Sequence, residues 1–248
     1  MARNGKNRTA DRRVYPGHSS RRQGQGENRL PPAVAVVLAG VLYALLPESL
    51  LLGPRLLIPA LEAVLLVALV ITNPRRLTRE TRFSRVASLL LSALVALTNL
   101  AALGLLVHGL VSGSKANGAD LLVAALQVWA TGVIAFALIY WELDRGGPVS
   151  RAQLPRERLP LADFRFSHDE DADAVVEVAA GSSDKSDWSP SFADYLYLST
   201  TNSSAFSPTD TMPLSTRAKA LMGIQATAAL LTSLLVIARA VGALSGGG

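Results

Sequence analysis

The sequence predicts an all-α, polytopic helical membrane protein: about five transmembrane helices, with a short re-entrant or interfacial helix before the last one. Three observations predict it. Half of the residues are hydrophobic and the mean hydropathy is +0.31. Charged residues make up 17% of the chain, below the roughly 25% of an ordinary soluble domain. Those charges lie mostly between the apolar stretches, whereas a soluble core mixes the two types at helical spacing.

Residues 1–30 form a basic tail in which Arg3, Lys6, Arg8, Arg12, Arg13, Arg21, Arg22 and Arg29 outweigh Asp11 and Glu27. Too few apolar side chains are present to offset ordering entropy, so the tail is expected to be disordered and cytoplasmic. The first apolar run, residues 31–46, reads as a retained helix. Pro31 and Pro32 suit a first turn and Pro47 ends it. The second helix covers residues 54–72 and stops at Asn73-Pro74; the third covers 83–111, and the fourth 119–141, closing on the interfacial pair Tyr140-Trp141. Together they make a four-helix region over residues 31–141.

Residues 142–188 read as a polar extramembrane loop, basic at first and acidic later, with room for a short strand near 164–166 or 174–178. Glu142 and Asp144, at the exit of the fourth helix, read as solvated charges or as a rim attracting cations. The remaining unit, residues 189–248, holds a semi-apolar stretch at 192–199, a proline-containing turn and a final helix over 214–244. Thr209-Asp210 before that helix suits an N-terminal cap.

Arginine placement sets orientation. Arg75, Arg76, Arg79, Arg82 and Arg85 follow the second helix, and Arg145, Arg151, Arg156 and Arg158 follow the fourth. The other two connections hold only Arg55 and Lys115. The positive-inside rule then places the N-terminus in the cytoplasm of a multi-pass protein. The net charge of +5 is assigned to this orientation and to lipid head groups, with the bilayer as the expected partner and nucleic acid not expected.

Candidate functional residues are few. Glu62 is an intramembrane ionisable group. Asn99, Gln127 and Gln225 are expected to hydrogen-bond between helices. No cysteine is present, which removes disulfides, thiolate metal sites and cysteine nucleophiles. No metal-ligand spacing or nucleophile–base set stands out, so neither cofactor, metal nor enzymatic activity is expected.

The segment 191–241 carries a semi-apolar stretch with Tyr197-Leu198-Ser199, then Ala205-Phe206-Ser207-Pro208-Thr209-Asp210, then Pro213, Arg217 and Ala238-Arg239. It resembles the pore module of two-helix potassium channels. The resemblance implies a half-helix, a filter-like turn and an inner helix. It implies an ion path for monovalent cations lined by Thr200, Thr201, Ser203, Ser204, Ser207, Thr209 and Asp210, in a homo-oligomer. Both filter glycines are replaced, by Ser207 and Thr209, and Pro208 fixes φ, so potassium selectivity is not implied. Trp129, Tyr140, residues 194–199 and residues 206–210 also resemble the corresponding parts of uncharacterised bacterial polytopic membrane proteins. That likeness implies the fold and a location in the bacterial plasma membrane, without an activity. Two functions are thus expected: a degenerate ion-channel-like pore, or a non-conducting structural or partner-recruiting membrane protein acting through its polar loop or basic tail.

Overall fold

The computed structural model describes residues 26–73, 76–78, 81–112, 118–169, 182, 188–204 and 211–245. Most of the predicted tail, and the acidic run beyond Asp169, lie outside them. Among the described residues the chain is mostly helical. Helices α1 (Leu30–Ala44), α2 (Leu57–Thr72), α3 (Arg82–Val111) and α4 (Gly118–Leu143) come first, then a short α5 (Pro148–Gln153), α6 (Phe192–Ser204) and α7 (Thr216–Ser245). Two small antiparallel ladders accompany them. Strand β1 (Glu27–Asn28) pairs with β2 (Arg76–Leu77), and β3 (Phe164–Phe166) pairs with β4 (Thr211–Pro213).

The helix ends have local causes. Pro31 and Pro32 occupy the first turn of α1, where a missing N–H costs nothing. Helix α3 opens on a reciprocal cap: Thr81 Oγ1 accepts from the Ser84 N–H at 3.0 Å, and Ser84 Oγ accepts from the Thr81 N–H at 2.9 Å. Helix α7 begins at Thr216, and its cap is Ser215, whose Oγ accepts from the Ala218 N–H at 3.1 Å. The cap expected at Thr209-Asp210 is therefore supplied five residues later; those two residues lie outside the described ones.

Helix α4 is the axis of the bundle, packing against α1, α3, α6 and α7. Its small residues Ala124, Ala125, Ala135 and Ala137 are buried and allow close approach. At Gly132 a Cβ would stand 3.1 Å from Asn99 Oδ1. The Asn99 amide donates across to the Val128 carbonyl of α4 at 2.7 Å, the interhelical bond expected of it.

Three helices, α3, α4 and α7, are long and apolar enough to cross a membrane. Helices α1 and α2 are apolar but have only 15 and 16 residues. Large apolar side chains cover much of the outer surface, among them Val34, Val37, Leu61, Val64, Ile71, Leu97, Leu234 and Ile237. Helices apolar on both their inner and outer faces are those of a buried or lipid-facing element.

One end of the bundle is polar. The start of α1, the end of α2, the starts of α3, α6 and α7 and the end of α4 all meet there. Arg29, just before α1, donates from Nη1 to the carbonyls of Leu69 and Asn73, satisfying the C-terminus of α2. The two arginine-rich connections of the sequence, around Arg76, Arg82 and Arg85 and around Arg145 to Arg158, share this end.

Candidate functional site

The pore-like segment takes a defined course as far as Ser204. Helix α6 starts beside the end of α4, with the Phe192 ring 5.9 Å from that of Trp141. It then runs antiparallel to α4: Ser199 Oγ donates to the Val133 carbonyl at 2.7 Å, and Trp129 Nε1 reaches the Ser203 carbonyl at 3.5 Å. By Thr211 the chain is back at the polar end, where Thr211 is paired with Phe166. The 13-residue helix, about 20 Å long, thus runs into the bundle from the polar end, and Thr211 lies at that same end.

Four of the seven proposed pore residues fall in α6. Thr200 Oγ1 donates to Leu196 O at 2.8 Å, and Thr201 Oγ1 donates to Tyr197 O and Leu198 O at 3.1 and 3.0 Å. Ser203 is buried, its Oγ accepting from Gln225 Nε2 at 2.8 Å; Ser204 is exposed. Ser207, Thr209 and Asp210 lie outside the described residues.

Inside the bundle, Gln225 of α7 is the centre of a buried polar group. Its Oε1 accepts from Tyr140 Oη at 2.6 Å and from Asn202 Nδ2 at 2.9 Å. Its Nε2 donates to Ser199 O at 2.9 Å and to Ser199 Oγ at 2.6 Å. Gln225 therefore does bond between helices, with partners that sequence reading did not name. The available signal was that Ser199, Asn202 and Ser203 recur at three- and four-residue spacing on one face of α6.

Glu62 is buried, 3% exposed, with Oε2 making no hydrogen bond among the described residues. A Cβ on Gly40 of α1 would stand 2.9 Å from that oxygen. It faces a neighbouring helix and not the bundle surface.

The polar end corrects the reading of Glu142 and Asp144 as solvated or rim charges. Glu142 is 3% exposed and Asp144 fully buried. Glu142 Oε2 accepts from Arg85 Nη1 at 3.3 Å. Asp144 takes four hydrogen bonds. Oδ1 accepts from the N–H groups of Asp163 and Phe164 at 2.7 and 3.3 Å, while Oδ2 accepts from Tyr195 Oη at 2.6 Å and Arg145 Nη1 at 2.8 Å. A carboxylate can be buried when its lone pairs are all engaged and a cation stands beside it. Burial works against the charge on Arg145, yet Asp144 and Asp169 overcome it and raise its pKa.

The ends of the half-helix and of α7 are tied to the same region. Asp163, 2% exposed, accepts from Arg217 Nε at 2.7 Å and from Ser215 Oγ at 2.5 Å. Glu27, assigned to the tail by sequence, is instead a structural carboxylate. Its Oε1 accepts from Trp141 Nε1 at 2.9 Å and from the Phe192 N–H at 2.7 Å, closing the start of α6. Burial raises the Glu27 pKa, and nearby Arg151 opposes the rise.

These interactions wall a cleft of about 360 Å³ at the polar end. Arg76, Arg145, Arg151, Arg156, Glu27, Asp169 and Trp188 are among its lining residues. Comparison of the chain with protein-family models, with curated proteins and with solved structures gives no match.

Proposed function

We propose that the chain is a polytopic integral membrane protein, with five helices through the bilayer and its polar end in the cytoplasm, that works by binding at this end and not by catalysis. The belt of exposed apolar side chains supports lipid as the surrounding medium, since soluble monomers rarely carry contiguous apolar patches of this kind. The short α1 and α2 fit a span when the bilayer thins or their flanking residues complete the path. The arginines of both basic connections gather at the polar end, which supports a cytoplasmic location for it.

The observation that carries the binding reading is the ordered polar end itself. Segments distant in sequence, from Glu27, Asp144, Arg151, Asp163, Tyr195 and Arg217, are fixed to one another around an open cleft. A fixed concave surface lined by charge is what recognition needs.

Single cysteines test the placement, because the chain has none of its own. Ser189→Cys, exposed at the cleft, is expected to react with a membrane-impermeant maleimide only in inverted vesicles. Val111→Cys, at the far end of α3, is expected to react only in right-side-out ones. The reverse pattern would refute the orientation, and a folded monomer in detergent-free supernatant would refute membrane insertion altogether.

The conducting reading has one support, the re-entrant course of α6. The hydroxyls of Thr200, Thr201 and Ser203 are engaged within the protein, which favours a structural role for them. Currents across planar bilayers holding the purified protein would establish conduction; their absence for both cations and anions would leave binding.

A further inference from the structure

Among the described residues the cleft at the polar end gathers several arginines, one of them buried and incompletely bonded. Four arginines among the described residues line it, with the two carboxylates Glu27 and Asp169. Both carboxylates are occupied. Asp169 Oδ2 takes Arg145 Nη2 at 2.7 Å and the Phe166 N–H at 3.0 Å. Glu27 Oε1 serves Trp141 and Phe192, and burial of this carboxyl weakens its hold as an anion.

Arg151 is the residue left incomplete. Its side chain is 1% exposed. Nη1 donates to the carbonyls of Trp141 and Asp144 at 2.8 and 2.7 Å, and the guanidinium lies over the Tyr195 ring, 4.9 Å from its centre. Nε and Nη2 make no well-formed hydrogen bond among the described residues. Nη2 forms an ion pair with Glu27 Oε2 at 3.5 Å. With Nη2 paired to Glu27, Nε is the donor left without a partner among the described residues, and a buried donor in that state is costly unless something completes it. At the cleft, Arg156 is exposed, with Nη2 donating to the Trp188 carbonyl at 2.7 Å.

We infer that this cleft binds a phosphate-bearing anion, with Arg151 in its wall and Arg156 and Arg76 beside it. The inference rests on the polar end being the working end of the protein. Several guanidinium groups around one cleft suit a tetrahedral oxyanion, whose oxygens point in several directions and share up to two charges. A carboxylate offers two oxygens in one plane and a single charge, fewer acceptor directions and less charge than a phosphate. The phosphate has two sources that this chemistry does not separate, a soluble phosphate or the head group of an anionic lipid at the cytoplasmic surface.

The test uses the full-length protein in an uncharged detergent and in lipid nanodiscs, with inorganic phosphate as the soluble probe. Trp188 lines the cleft and reports by its emission; calorimetry gives a second readout independent of it. Phosphate at constant ionic strength is expected to give saturable heat and a saturable emission change. The emission change should vanish in Trp188→Phe. Affinity should fall at least about tenfold in Arg156→Gln, the factor that one charge-assisted hydrogen bond commands. In discs, a response to phosphatidic acid in phosphatidylcholine, with none to phosphate in phosphatidylcholine alone, assigns the head group; the reverse assigns the soluble ion. No heat and no emission change in any arm, equal affinity in Arg156→Gln, or an equal response to acetate would overturn the inference. Vesicle labelling judges the cytoplasmic placement separately: an inverted topology with intact phosphate binding refutes only that placement, and correct topology without phosphate binding refutes only the ligand.

Discussion

Asp144→Ala is expected to be among the most damaging single substitutions in this protein. The side chain is fully buried and accepts from two backbone N–H groups, a phenol and a guanidinium, at 2.6 to 3.3 Å. Alanine leaves three neutral donors without partners, at about 1–3 kcal/mol for each that water does not reach. It also breaks a buried ion pair, a change that typically costs about 3–5 kcal/mol, although Arg145 keeps Asp169. The terms overlap because a relaxed site admits water, so about 5 kcal/mol is expected in total. Asp144→Asn should cost less, about 2–3 kcal/mol: its carbonyl still serves the two N–H groups, while its amide opposes Arg145 Nη1. Thermal melting of the purified protein in detergent measures the loss, and limited proteolysis after residue 144 measures local opening. Glu48→Gln is the control. Glu48 pairs with Arg55 at 3.9 Å in the open, and its loss should stay within about 0.5 kcal/mol. If Asp144→Ala melts with wild type and resists protease equally, the network does not hold the polar end and the argument for a fixed cleft fails.

Three further outcomes follow from the same geometry. Gln225→Leu removes five interhelical hydrogen bonds; at about 0.6 kcal/mol each, the scale measured for bonds between apolar helices, the loss is about 3 kcal/mol, and melting indistinguishable from wild type would show the group to be idle. Glu27 has a raised folded pKa, so its contribution to stability is full below the unfolded value of 4.5 and is lost as pH rises through the folded value. Wild type minus Glu27→Gln stability should therefore fall as pH climbs from 4.5, and a difference that is flat or rises with pH contradicts this. Gly147→Ala places a side chain at φ +95° with its Cβ 1.9 Å from Arg85 Nη1, and should cost about 2 kcal/mol or more; a melting shift worth under about 0.5 kcal/mol would mean the turn adapts freely.

The helices were legible because their signals are local. Hydropathy marks each apolar run, Pro31-Pro32 opens α1 and Asn73-Pro74 closes α2, and those cues need no knowledge of the fold. The strand at Phe164–Phe166 was legible for the same reason. Glu142 and Asp144 were not. A carboxylate just past Tyr140-Trp141 looks solvated until residues 19, 20 and 51 positions further on fold over it. Glu27 failed more severely, since its partners lie 114 and 165 residues away and its neighbours in sequence have the composition of a disordered tail. The cap of α7 was misplaced because Thr209-Asp210 and Ser215 carry equivalent cap chemistry, and only the position of the helix start decides between them.

A half-helix that dips into a bundle needs its backbone ends closed by other segments, and this requirement links the two polar regions. At its start, Glu27 accepts the Phe192 N–H, and Asp194 accepts from the Ser191 N–H and Oγ at 2.7 and 2.8 Å. At its inner end no water is guaranteed, and an unpaired carbonyl there costs several kcal/mol. Trp129 reaches the Ser203 carbonyl from α4, while Gln225 of α7 holds Ser199 and Ser203. Gln225, out of place in the apolar α7, is thus explained by α6, whereas Gln127 of α4 keeps its Oε1 buried without a hydrogen bond among the described residues, against the interhelical bond expected of it. Helix α6 also carries Tyr195, whose hydroxyl reaches Asp144 and whose ring lies beneath Arg151. The seated half-helix therefore also completes the charged cleft, because its Tyr195 is the aromatic floor of the cleft's buried arginine.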